Sequence, residues 1–148
     1  MTHKKRVLFV CAENACRSQM AEGIARHLHG DLVEAYSAGS RPTSVNPLAL
    51  KVMDEIGIDI SGHGSKSLAE FVEENFDYVI TLCGSQADGT CPIFPGEAKE
   101  RLHWELPDPA QAQGREEEVL PVFRQVRDQI RARFGGLAKE LRREEILP

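Results

Sequence analysis

The sequence has no long hydrophobic run, no excess of basic residues and no repeated or low-complexity segment. A transmembrane helix requires about 18 consecutive apolar residues, and no run approaches that length. Lys and Arg number 18 against 23 Asp and Glu, which gives a net charge of -5. Nonspecific nucleic-acid binding normally leaves a basic footprint. We therefore expect neither a nucleic-acid nor a membrane partner, although a small anion could still bind in a local positive pocket.

A recognisable export signal is also missing. The first six residues are basic, but the apolar stretch Val7–Ala12 is shorter than the roughly 7–15 residues of a signal peptide, and no small-residue cleavage site follows it. We therefore expect a cytoplasmic protein. The 148 residues are 41% hydrophobic, which is enough for a single domain over residues 1–148 with its own core.

The spacing of the cysteines excludes the usual structural sites. Four cysteines are separated by five, 67 and eight positions, with no paired CxxC, and they are Cys11, Cys16, Cys83 and Cys91. This spacing does not match a zinc finger. Two structural disulfides are typical of small secreted domains rather than of a cytosolic chain. The cysteines are therefore interpreted as reactive thiols, and we expect no metal and no cofactor.

Apolar periodicity predicts alternating strands and helices. The predicted strands are Arg6–Cys11, Leu32–Ala38, Asp77–Cys83 and, more weakly, Arg101–Glu105. The predicted helices cover Ser18–His29, a segment capped by Asn46 and Pro47, a short segment with the capping-box residues Ser67 and Glu70, and Arg115–Arg143 with an interruption at Gly135-Gly136. This order is typical of an α/β fold with a parallel sheet, in which ligands bind at the carboxyl ends of the strands.

The segment between the first strand and the first helix is a candidate oxyanion loop. Its turn can direct several backbone N–H groups at one point, and the helix N-terminus adds partial positive charge there. The same field stabilises the thiolate of Cys11, while the planar fork of Arg17 matches two oxygens of a tetrahedral anion. The alternative is a buried strand-end cysteine and a solvated helix arginine. The predicted loop residues are Ala12, Glu13, Asn14, Ala15, Cys16, Arg17 and Ser18.

Three polar residues around the loop have expected roles. Asn14 can adopt the left-handed conformation that a tight anion loop needs, and its side chain can hold the loop together. Ser18 can donate a hydrogen bond to the Cys11 thiolate. Asp108, between two prolines, is either a turn residue or a candidate general acid. Glu13 would repel an anion, so we expect its side chain to point to solvent.

Cys11–Ser18 and the following residues 19–23 resemble the oxyanion loop of thioredoxin-coupled arsenate reductases, which share the low-molecular-weight protein tyrosine phosphatase fold. The resemblance extends to Ser37–Ser40, Gly57–Ser61, Thr81–Cys83, Cys91-Pro92, His103-Trp104 and Asp108–Ala110. It implies a monomeric, three-layer α/β sandwich around a central four-stranded parallel sheet. It also implies a role in arsenic resistance and detoxification.

The resemblance implies a thiol relay that reduces arsenate to arsenite. The Cys11 thiolate attacks arsenate, and Asp108 protonates the departing oxygen. Cys83 then attacks Cys11, arsenite leaves, and Cys91 attacks Cys83, so that a Cys83–Cys91 disulfide remains for thioredoxin or a similar dithiol protein to reduce. The relay does not need Cys16, which is expected to be auxiliary.

A protein tyrosine phosphatase is the alternative function, because it would need only Cys11, Arg17 and Asp108. The pair Cys83 and Cys91 discriminates between the two, since reduction of arsenic from the +5 to the +3 state needs the two electrons that a pair of thiols can supply. An anion-binding module without catalysis would leave this pair without a purpose.

One departure from the family concerns a cation. Some members bind potassium with residues that match Asn14, Glu22, Ser37 and an aspartate, and the last position falls at Lys66 in this chain. We therefore expect no potassium site, and we expect the ammonium group of Lys66 to lie near Glu22.

Overall fold

Four parallel strands form one sheet at the centre of the computed structural model, which describes residues 4–83 and 92–146. The strands are β1 (Lys5–Cys11), β2 (Val33–Gly39), β3 (Asn75–Thr81) and β4 (Glu97–His103). Their order across the sheet is β2-β1-β3-β4, and each neighbouring pair is parallel. The predicted α/β fold with a four-stranded parallel sheet is confirmed.

Within residues 4–83 and 92–146, three α-helices and two short 3-10 helices connect and cover these strands. The α-helices are α1 (Arg17–His29), α2 (Pro47–Asp54) and α3 (Glu116–Ile146), and the 3-10 helices are Leu68–Phe71 and Pro109–Gln111. The predicted caps are confirmed: Asn46 accepts a hydrogen bond from the Leu48 backbone N–H, and Ser67 and Glu70 form a reciprocal capping box. No helix in the described part of the chain combines the length and apolar character needed to cross a membrane.

Alternate residues of β1 enter two separate apolar clusters, one on each face of the sheet. Val7 and Phe9 belong to the larger cluster, which includes residues of all three α-helices. Leu8 and Val10 belong to the smaller cluster, together with apolar residues of the Leu68–Phe71 helix. Burial on both faces explains why this strand reads as a continuous apolar run, and it places the end of β1 at the centre of the sheet's carboxyl edge.

Two predicted strand boundaries are wrong. β3 covers Asn75–Thr81 instead of Asp77–Cys83, and β4 covers Glu97–His103 instead of Arg101–Glu105. Both strands begin before their predicted first residues, because Asn75 pairs with Glu97 at the start of the ladder between them. β4 is an edge strand with mostly exposed or half-buried residues, so its charged first half carries no apolar signal.

The predicted interruption of the last helix is also wrong. α3 continues through Gly135 and Gly136 to Ile146. Glycine disfavours a helix interior by about 1 kcal/mol relative to alanine, but Phe134 and Leu137, on either side of the pair, are buried in the core. Tertiary packing therefore maintains the helix across two poor helix formers.

Candidate active site

The loop from β1 to α1 lies close against the end of β2. A Cβ atom on Gly39 would lie 2.6 Å from the carbonyl oxygen of Ala12 and 2.8 Å from the backbone nitrogen of Asn14. Backbone atoms do not yield at such distances, so glycine is required here for the close approach. Asn14 has a φ of 53°, which confirms the predicted left-handed conformation within the loop.

Hydrogen bonds from several segments hold Asn14 in place. Its carboxamide oxygen accepts from the Lys66 backbone N–H at 2.8 Å and from Gln19 Nε2 at 2.9 Å, and its carbonyl oxygen accepts from Ser65 Oγ at 2.8 Å. Asn14 is fully buried. These bonds offset the cost of a left-handed asparagine and keep the loop in one conformation.

The Asn14 side chain also orients the hydroxyl that contacts the candidate nucleophile. Asn14 Nδ2 donates to Ser18 Oγ at 2.7 Å, and Ser18 Oγ lies 2.8 Å from Cys11 Sγ. Because Ser18 accepts from the amide, its own hydrogen is available for Cys11 Sγ. The Ser18 hydroxyl is thus placed to donate to Cys11 Sγ, in agreement with the role expected for Ser18.

Arg17 is the first residue of α1 and is buried beside the loop. Its Nη1 donates to the carbonyl oxygen of Leu106 at 3.1 Å, and its Nη2 lies 3.8 Å from Asp108 Oδ2. Its Nε is buried and has no hydrogen-bond partner among the described residues. An orphaned guanidinium donor at a helix N-terminus fits an oxyanion ligand.

Asp108 is held by the turn in which it lies. It caps the Pro109–Gln111 helix, and its Oδ1 accepts from the Ala110 backbone N–H at 3.0 Å. Its other oxygen faces Arg17. The side chain is about one-third exposed, so it can exchange protons with solvent while remaining beside the loop.

A cavity of about 310 Å³ brings together Cys11, Arg17, Cys83 and Asp108. Cys11 is the last residue of β1, Cys83 lies two residues after the end of the neighbouring strand β3, and both are buried. Cys83 is disulfide-bonded, whereas Cys11 and Cys16 are free thiols. Cys91 and the intervening residues 84–90 lie outside the described residues, so the predicted pairing of Cys83 with Cys91 stays a prediction.

Sequence reasoning did not assign three residues of this cavity to the site, and they are Arg41, Ala110 and Gln111. Arg41 lies two residues after the end of β2. Segments that follow neighbouring parallel strands meet at the same edge of the sheet, but the sequence alone does not show that β2 is a neighbour of β1. Glu13 also lines the cavity, and it is exposed as expected.

Cys16 differs from Cys11 in its surroundings. Burial raises the pKa of the Cys16 thiol strongly, and the negative charges of Asp108 and Cys11 add to this effect. Arg17 opposes the shift only in part. Cys16 is therefore held as a neutral thiol, which agrees with its expected auxiliary role.

A buried carboxylate, Glu22, lies below the loop with cationic neighbours. Arg26 Nη2 is 3.0 Å from Glu22 Oε2, Lys66 Nζ is 3.8 Å from Glu22 Oε1, and Ser37 donates a hydrogen bond to the same carboxylate. The expected position of Lys66 is confirmed. An ammonium group at this distance repels a further cation, so these residues do not fit a potassium ion.

Sequence comparison relates the chain to one family. The family model described as low molecular weight phosphotyrosine protein phosphatase matches residues 6–146. A protein of Shouchella clausii (strain KSM-K16) named arsenate reductase is 47% identical over 136 residues, which cover 92% of this chain and 96% of the relative.

Solved structures give the same relationship. A structure described as an arsenate reductase in the phosphate binding state is 37% identical with a TM-score of 0.78, and the match covers 93% of this chain and 98% of the other. A thioredoxin-dependent arsenate reductase of Corynebacterium glutamicum is 31% identical with a TM-score of 0.68. That match covers 97% of this chain and 64% of the Corynebacterium chain.

Proposed function

The chain belongs to the low molecular weight phosphotyrosine protein phosphatase family, and we propose that it acts within this family as an arsenate reductase. The observation that carries the proposal is the position of Cys83 in the same cavity as Cys11, Arg17 and Asp108. A phosphatase of this family needs a nucleophile, an arginine and an acid. A two-electron reduction requires in addition a second sulfur beside the nucleophile, which Cys83 supplies as a thiol once its disulfide is reduced.

In the first step, the Cys11 thiolate attacks the arsenic atom of arsenate bound in the loop. The loop N–H groups, the N-terminus of α1 and Arg17 stabilise the negative charge on the oxygens. Asp108 donates a proton to one oxygen, which leaves as water while a sulfur–arsenic bond forms. The hydrogen bond between Ser18 and Cys11 supports the thiolate before the attack.

In the second step, Cys83 attacks Cys11 Sγ. The sulfur–arsenic bond breaks, and its electron pair stays on arsenic, which becomes arsenite in the +3 state. Cys11 and Cys83 supply the two electrons as they are oxidised to a disulfide. Cys91 then attacks Cys83, releases Cys11 as a thiolate and leaves a Cys83–Cys91 disulfide.

A dithiol protein of the thioredoxin type would complete the cycle by reducing the Cys83–Cys91 disulfide. The relationship to a thioredoxin-dependent arsenate reductase of Corynebacterium glutamicum supports this partner. We place the reaction in the cytoplasm, where thiols are kept reduced, and we propose that the chain acts as a monomer.

One assay separates the two activities of this fold. Arsenate-dependent oxidation of reduced thioredoxin, followed with thioredoxin reductase and NADPH, is expected with the wild-type chain. Hydrolysis of p-nitrophenyl phosphate is expected to be weak in comparison. Turnover of p-nitrophenyl phosphate without arsenate-dependent thioredoxin oxidation would instead identify a phosphatase.

A further inference from the structure

The rim of the cavity carries two opposite charges, on Glu13 and Arg41, that the proposed reaction does not use. Both residues are exposed. Glu13 lies within the anion loop itself, where a carboxylate repels an approaching oxyanion. A chain that places an acid at this position needs a compensating charge if its substrate is an anion.

Backbone hydrogen bonds fix Arg41 beside Glu13. The Arg41 N–H donates to the carbonyl oxygen of Ala12 at 2.8 Å, and the Thr43 N–H donates to the carbonyl oxygen of Glu13 at 3.2 Å. The close contact of Gly39 with the same loop brings the two segments together. The backbone of Arg41 is therefore held in place by hydrogen bonds to the anion loop.

The guanidinium group of Arg41 is available for an anion. Within residues 4–83 and 92–144, the arginines that form salt bridges are Arg6, Arg17, Arg26, Arg115, Arg124, Arg127 and Arg142. Arg41 is not among them. Arg17, by contrast, already contacts Leu106 and lies near Asp108, so part of its binding capacity is used within the protein.

We propose that Arg41 is a second anion-recognition residue, which attracts the tetrahedral oxyanion to the mouth of the cavity and offsets the charge of Glu13. This inference rests on the proposed function only in that the ligand is a tetrahedral oxyanion. Arg41 acts on entry and binding, while the bond-making steps belong to Cys11, Arg17 and Asp108. Its effect should therefore appear in affinity and in KM, with kcat nearly unchanged, and should weaken as salt screens the rim.

The test uses inorganic phosphate as the probe, since a related arsenate reductase is described in a phosphate binding state. The fully reduced chain is treated with iodoacetamide at increasing phosphate concentrations, and alkylation of Cys11 is followed by mass spectrometry. At low salt, Arg41→Gln should require about three- to tenfold more phosphate to halve the alkylation of Cys11. A change of this size is expected from the loss of one surface charge. Glu13→Gln should require less phosphate, and Arg41→Lys should restore most of the protection.

Arg131→Gln is the matched control, because Arg131 is an exposed arginine on α3 that does not line the cavity. Phosphate should protect Cys11 of this variant at the same concentrations as in the wild type. Protection by phosphate that is unchanged within twofold in Arg41→Gln, or absent in the wild type, would overturn the inference. If Arg41-dependent protection is present while arsenate does not oxidise thioredoxin, the proposed function fails and the role of Arg41 stands.

Discussion

Cys11 and Cys16 lie at the two ends of one loop, and both are buried. Their immediate partners differ. Cys11 has a hydroxyl donor, Ser18, at 2.8 Å, whereas burial and nearby negative charge raise the pKa of Cys16. Since only a thiolate is a strong nucleophile, the raised pKa of Cys16 predicts that this thiol stays inert.

The difference in reactivity can be measured directly. A raised thiol pKa keeps Cys16 protonated as the pH increases past the range in which an ordinary cysteine ionises, about 8.5. We expect iodoacetamide to modify Cys11 of the native reduced chain between pH 7 and pH 9 and to leave Cys16 largely unmodified. Peptide mass spectrometry after a timed reaction checks this, with urea-unfolded chain as the control in which both cysteines react. Equal modification rates in the native chain would contradict the assignment.

Lys66 places a positive charge beside the buried carboxylate of Glu22. Its ammonium group lies 3.8 Å from Glu22 Oε1 and donates to the Gly64 carbonyl oxygen at 2.8 Å. Its backbone N–H also donates to Asn14. The same residue thus supplies positive charge to the buried carboxylate and supports the anion loop.

We expect the wild-type chain to be equally stable in KCl and in NaCl of the same ionic strength. Lys66→Asp places a second carboxylate beside Glu22 and should create a response to potassium. A cation at ten times its Kd stabilises the folded state by about 1.4 kcal/mol, or roughly 3–5 °C in Tm for a chain of this size. Thermal unfolding of each variant in KCl and in NaCl measures this difference in Tm.

Lys66→Met is the control, because it removes the ammonium group without adding a carboxylate. It should lower the Tm equally in both salts. A wild-type chain that already responds to potassium, or a Lys66→Asp variant that does not, would refute this account of Lys66.

At the scale of the element, α3 illustrates how packing outweighs local propensity. It runs over 31 residues, and its apolar positions Val126, Ile130 and Phe134 are fully buried in the larger core cluster. Its glycine pair faces open space: a Cβ atom on either Gly135 or Gly136 would meet nothing within 4 Å. The pair therefore costs helix stability without serving a close contact.

Gly136→Ala is expected to stabilise the chain by about 0.5–1 kcal/mol, because alanine restricts the unfolded chain and favours the helix. Urea unfolding of the wild type and the variant gives the difference. Gly23→Ala, in α1, is the matched control: its Cβ atom would lie 2.7 Å from Ile60 Cγ2 in the core. That variant should be destabilised, and a loss of stability in Gly136→Ala would show that the exposed glycine has a packing role.

At the scale of the whole molecule, strand order determines which distant residues meet. β1 and β3 are neighbours, with Val10 paired to Thr81, so the residues that follow them converge on one cavity. The pattern of strands and helices predicted a site at the carboxyl edge of the sheet, whereas the meeting of Cys11 and Cys83 was implied only by the family resemblance. The role of Arg41 required the further knowledge that β2 lies on the other side of β1, which a single sequence does not contain.

The elements that sequence reasoning placed least well are those whose stability comes from their neighbours. The first half of β4 is charged and exposed, and it is a strand because Asn75 and Phe76 of β3 pair with it. The end of β3 was predicted too late because Leu82 and Cys83 are as buried as the strand before them. Apolar patterns in the sequence indicate which residues are buried, whereas hydrogen bonding between neighbouring strands determines where each strand begins and ends.

The order of events in the relay makes the most specific prediction for the complete molecule. Cys91→Ser should release one equivalent of arsenite per chain and then stop, because Cys11 and Cys83 already supply two electrons but the resulting disulfide is not passed on. Cys83→Ser should release almost none, because the sulfur–arsenic bond is not broken. Quenched single-turnover reactions with arsenite detection, followed by thiol counting, distinguish the two. Sustained turnover of both variants with thioredoxin as the sole reductant would eliminate this order, since each variant lacks a thiol that the cycle needs.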